Sequence, residues 1–96
     1  MSERLSTALV TTATPERYAK QLASHLGRRS QIIDEPDGLR IVLETGDCLL
    51  QTRAGVLVMK ARADSEPNLE TVKRVIAVHL ERFGQRNELR VEWDAS

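Results

Sequence analysis

The side chains able to do chemistry are few: two histidines, His25 and His79, one cysteine, Cys48, and a set of arginines. Imidazole nitrogen and thiolate sulfur together suit a transition metal such as zinc, so His25, His79 and Cys48 form a candidate metal site. No local pair among them has ligand spacing, and no carboxylate is clearly placed to orient either ring. The ordinary alternative carries more weight: structural histidines bonded to backbone or carboxylate, and a lone cysteine behaving as a small buried hydrophobe. A Cys48 nucleophile activated by histidine would need an electropositive, open setting. No serine sits in a strand–Gly-x-Ser-x-Gly–helix context, and the five glycines are scattered turn residues that draw no phosphate loop or dinucleotide fingerprint. The expectation is a protein without catalytic residues or cofactor.

Arg17, Arg82, Arg86 and Arg90 allow a second kind of chemistry. Guanidinium groups grip carboxylates through bidentate contacts, so a cluster of them could hold an acidic ligand or a partner's acidic side chains. The plainer reading is a solvated face with ion pairs to Glu81, Glu88 or Glu92. The same arginines could meet RNA, but aromatic residues that stack bases are missing from exposed strand positions. Arg17, His25, His79, Arg82, Arg86 and Trp93 are therefore the candidate ligand or partner contacts.

Elements that must position these groups follow from periodicity. Leu5 to Thr12 reads as a strand. Thr14 then offers a hydroxyl cap and Pro15 suits the first helical position, with the helix running to Leu26 and stopped by Gly27. Tyr18, Leu22, His25 and Leu26 share its apolar face. From Gln31 to Ala63 the period is two, with strands at Gln31–Glu35, Leu39–Thr45, Cys48–Ala54 and Val56–Ala63. The breaks are Pro36-Asp37-Gly38, Gly46-Asp47 and Gly55, and connections this short require antiparallel neighbours. A second helix, capped by Ser65 or Asn68 and ended by Gly84, carries Leu69, Val72, Ile76, His79, Leu80 and Phe83 on one stripe. Glu70 and Arg74 form a favourable i,i+4 pair outside that stripe. Leu89, Val91 and Trp93 alternate with Arg90 and Glu92 as a last strand.

The order βαββββαβ gives an α+β, two-layer sandwich: one antiparallel sheet with two helices on one face. Both imidazoles should turn inward, toward the sheet. Ninety-six residues fit one domain, residues 1–96. Fourteen basic residues balance fourteen acidic ones, so no global field draws the chain to nucleic acid or an anionic membrane. A near-zero net charge favours self-association. No membrane-length apolar run or leader pattern is present, and the single cysteine forbids an internal disulfide; these argue for the cytoplasm.

If Leu39, Ile41, Leu43, Leu50, Leu57 and Met59 face the helices, then Val42, Leu49, Val56 and Val58 face outward on a side that a two-layer fold leaves bare. Singly exposed apolar residues are ordinary; the alternative is an interface, with a second copy or with another protein.

Two blocks carry a family resemblance. The first holds Arg17-Tyr18, Gln21-Leu22 and His25; the second runs His79-Leu80-Glu81-Arg82-Phe83 and on through Arg86, Glu88 and Trp93, with Gly46 and Cys48 between them. In these the chain resembles the bacterial domain of unknown function 2218. The resemblance implies a small α+β domain with a sheet similar to that of TATA-binding protein, and it implies no catalytic residues. Because some members of that family are joined to flavin-binding, siderophore-interacting reductases, it also implies a place beside iron acquisition and such a reductase as partner. Many relatives place a cysteine two residues before the first histidine and a His-Lys pair after it. Here Ala23 and Arg28-Arg29 stand there, which weakens a metal-centred reading.

Overall fold

A computed structural model describes residues 3–28, 30–85 and 89–94. The chain runs β1 (Arg4–Thr11), α1 (Pro15–Leu26), β2 (Gln31–Glu35), β3 (Gly38–Leu43), β4 (Gly46–Arg53), β5 (Val56–Ala63) and α2 (Glu66–Phe83). The five strands form one antiparallel sheet in the order β1-β5-β4-β3-β2. First and second strands therefore lie at opposite edges. α1 has to carry the chain across the sheet, and the tight meander β2 to β5 brings it back to β1.

Register decides which residues meet the helices. Ile32, Ile41, Cys48, Ala61 and Ser6 lie opposite one another in a row across all five strands, and Leu39, Leu50, Met59 and Ala8 make the next row. These side chains face α1 and α2, which supply Tyr18, Leu22 and Leu26, and Leu69, Val72, Ile76 and Leu80, to the same core. The four α2 residues are almost wholly buried, and each stabilises the fold by about 1.5–3 kcal/mol. The inward set is the one the alternation implies.

Local chemistry settles one choice the sequence reading left open and differs from that reading at three places. Ser65, not Asn68, caps α2: its Oγ accepts from the Asn68 N–H at 3.3 Å. Thr14 makes no side-chain cap to α1; its own N–H donates to Thr12 Oγ1 instead. Gly46 is inside β4, and the turn falls at Glu44-Thr45. A Cβ on Gly46 would strike the Arg62 carbonyl oxygen and crowd Val72, so this glycine admits a neighbouring backbone and does not make a turn. Lastly, Glu70 pairs with Lys73 at 3.2 Å, not with Arg74.

The expected last strand is reduced to one bridge, Ala8 to Trp93. Two backbone donors that β pairing would use are occupied by side chains: Glu81 Oε2 accepts from Val91 N–H at 2.9 Å, and Asp94 Oδ1 accepts from Thr7 N–H at 3.0 Å. Asp94 N–H in turn donates to the Thr7 carbonyl at 2.8 Å. The C-terminal segment thus straps the β1 edge without becoming a strand. The α+β fold with both helices on one face stands.

Candidate functional site

Three regions collect the residues that could act: the seam between the helices, the bare face of the sheet, and the core around Cys48.

At the seam the two histidines meet, but not inward. His25 is exposed and His79 half-buried, so the expectation that both turn toward the sheet is corrected. Their ring centroids lie 5.0 Å apart at a 46° tilt, and the His25 ring also meets Phe83 edge-on at 5.4 Å. His25 is therefore held between two α2 side chains one helical turn apart. His79 Nδ1 lies 2.6 Å from the Val75 carbonyl oxygen, an acceptor, so Nδ1 donates and Nε2 is the ring nitrogen left for other contacts. Beside the pair is a cleft of about 490 Å³, lined also by Leu26, Arg28, Ser30, Leu43 and Val75.

Cys48 does not join them. It is wholly buried in the inner sheet row, and desolvation pushes its thiol far above the usual range. A thiol held protonated and sealed from solvent is neither nucleophile nor ready ligand. Among the described residues no three histidine, cysteine or acidic side chains come together as a metal site.

The described arginines sit on different elements. Arg17 lies near the start of α1, in a cleft with Lys20 and Arg53. It is eight residues, about 12 Å of helical rise, from His25. Arg82 is on the last turn of α2 and Arg90 in the C-terminal strap. Arg86 and Glu88 lie outside the described residues. Among those described, Arg17, Arg82 and Arg90 form no ion pair. Trp93 is half-buried at the β1 edge, and it lines a shallow groove with Lys73 and Arg74.

The bare face holds what periodicity alone left unranked. Val42, Leu49, Val56 and Val58 all point to it, by the register that sends their neighbours inward. Leu49 and Val58 are only 9% exposed, however. Leu49 lies opposite Arg40 on one side and Lys60 on the other, flanked by two residues with long aliphatic stems. The apolar surface on offer is at β1: Leu5 is 55% and Leu9 65% exposed, with Ile33 on β2 at 36%. Leu5, Thr7 and Leu9 alternate out of phase with Ser6, Ala8 and Val10, a period-two signal that sequence reasoning had available and did not use.

Sequence reasoning also missed the ion-pair ladder on this face. Arg40 makes a two-pronged contact with Glu35 (2.6 and 3.1 Å) and reaches Asp47 at 2.6 Å; Arg62 closes on Asp47 at 2.9 Å. Hydrogen bonding from Arg40 holds the Glu35 carboxyl below the usual carboxylate range, and the same contacts raise the Arg40 guanidinium. These cations are already satisfied within the sheet. Lys60 and Arg53, both exposed, carry no such pairing among the described residues and lie beside the apolar β1–β5 strip.

The sequence profile of a family described as an uncharacterized protein conserved in bacteria, DUF2218, matches residues 7–94. The NMR structure of PA4090 from Pseudomonas aeruginosa is similar over 95% of each chain, with 25% sequence identity and a TM-score of 0.77. No curated protein matches the chain at a significant level. Among the described residues, no helix is long and apolar enough to cross a membrane.

Proposed function

We propose that this chain, which belongs to the DUF2218 family of uncharacterised bacterial proteins, is an interaction module without a reaction of its own. Its outward sheet face docks onto a protein partner. One observation carries the reading: two leucines, Leu5 and Leu9, stand more than half exposed on the side that no helix covers. Around them the face is pre-ordered, because five paired strands and the Glu35–Arg40–Asp47–Arg62 ladder hold its groups before any partner arrives. Lys60 and Arg53, unpaired among the described residues, give the strip a positive margin, so the partner's surface has an apolar centre with carboxylates at its rim. The sealed Cys48 supports a binding role over a catalytic one.

For the partner's identity the family resemblance is the guide, and it points to a flavin-binding, siderophore-interacting reductase. On this reading the module works in the cytoplasm, beside the release of iron from ferric siderophores. The test is a calorimetric titration of the chain against such a reductase. Leu9→Asp, at an exposed position, should weaken binding at least tenfold while thermal stability is retained. Unchanged affinity in Leu9→Asp and Leu5→Asp would remove the sheet face from the interaction. Sedimentation of the chain alone, across concentration, separates this partner from a second copy of the same chain.

A further inference from the structure

We propose that the cleft between the ends of α1 and α2 is a binding site for a small organic acid with an apolar body. The inference is independent of the sheet-face reading and rests on the opposite side of the molecule. The cleft's volume, about 490 Å³, is within the usual range for small-molecule sites, roughly 300–1,000 Å³. Its floor is apolar, with Leu43 and Val75, and its polar lining is His25, His79, Arg28 and Ser30. Among the described residues that lining has a permanent cation, a hydroxyl and two imidazoles, and no carboxylate.

Charge and donor count choose the ligand. A metal ion would find two imidazoles and no third histidine, cysteine or carboxylate among the described residues, and it would sit beside a guanidinium. A carboxylate finds a guanidinium that is always charged, a Ser30 hydroxyl and an imidazole N–H of His25, all able to donate. The carbonyl end of α1 opposes an anion here. That end is equivalent to about half a negative charge, which the full charge of Arg28, two residues beyond the helix, outweighs.

The imidazoles are also positioned in advance. Phe83 meets the His25 ring edge-on, and the Val75 carbonyl fixes His79 through Nδ1. This directs the rings without consuming His79 Nε2. Leu43 and Val75 are half-buried, so an apolar body laid on them removes surface from water while the acid group remains at the charged rim.

Benzoate is a suitable probe, and benzamide its neutral counterpart of the same shape. In an amide-shift NMR titration of the full chain, benzoate should move resonances of His25, Arg28, Ser30 and His79 saturably, with benzamide at least fivefold weaker. Arg28→Gln, at an exposed position, should lower benzoate affinity about five- to tenfold. Ser30→Ala, which removes the hydroxyl donor of the cleft, provides a second variant and should also weaken it. Equal affinities for the two probes, no effect of Arg28→Gln, or no shifts at the seam would overturn the proposal. So would stoichiometric binding of zinc alone at both rings without any response to benzoate.

Discussion

Leu9 and Val58 stand directly opposite each other in the β1–β5 register, on the same face of the sheet, yet Leu9 is 65% exposed and Val58 only 9%. The difference is positional. Val58 has strands on both sides, whereas Leu9 is on β1, which has a strand on one side and on the other only the C-terminal strap with its single bridge. Exposed apolar surface on this face is therefore concentrated at β1, with Ile33 at the opposite edge.

That contrast sets the stability of two kinds of variant apart. Leu9→Ser should change the unfolding free energy by no more than about 0.5 kcal/mol. Ile76→Ala, in the core under α2, should lose about 2–5 kcal/mol. Urea denaturation of both, followed by circular dichroism, checks the pair. A large loss from Leu9→Ser would mean that its side chain packs within the chain.

Acid should weaken the ladder in a defined direction. Glu35 is held below its ordinary value by Arg40, so its contribution is present above the unfolded carboxylate range, about pH 4.3, and is lost as pH falls through the lowered folded value. Arg40→Gln should then lower the urea midpoint at neutral pH, and the gap from the parent chain should narrow toward about pH 3. A gap that widens in acid would contradict the assigned pairing.

Cys48 should be silent toward thiol reagents in the native protein. Its burial and raised thiol require unfolding before reaction, so the rate of labelling by an aromatic disulfide should follow the unfolding equilibrium as urea is added. Rapid stoichiometric labelling without denaturant would show an accessible thiol.

Gly84 ends α2, and a Cβ there would fall on the Leu89 side chain. Gly84→Ala should displace Leu89 and loosen the C-terminal strap, costing about 1–3 kcal/mol. Trp93, bridged to Ala8 farther along the strap, reports the change: its fluorescence should shift red in the variant. An unshifted spectrum with unchanged stability would show that the helix stop and the strap are uncoupled.

These outcomes bear on how far the sequence could be read. The alternation of Val56 to Ala63 and the stripe Leu69, Val72, Ile76, Leu80 were legible because burial on one face leaves a periodic trace. Orientation at the margin of a stripe was not. His25 and His79 each lie about 65–75° from the centre of their helix's buried face. Whether such a residue turns to the sheet or to the neighbouring helix depends on how the helices cross, which one helix's pattern does not encode. Gly46 looked like a turn residue because a glycine chosen for close backbone approach has the same letter as one chosen for a turn. The ladder escaped for a related reason: Glu35, Arg40, Asp47 and Arg62 come from four strands, and only their register makes them neighbours. The reductase partner came from resemblance, not from any residue pattern.

The most direct test of docking through the bare face is a methyl-labelled sample of the full chain mixed with a siderophore-interacting flavin reductase. Methyl resonances of Leu5, Leu9, Ile33 and Val56 should broaden or shift, while those of Leu26, Val75 and Val78 on the helix side stay in place. Perturbation confined to the helix side, or no perturbation at saturating reductase, would contradict it.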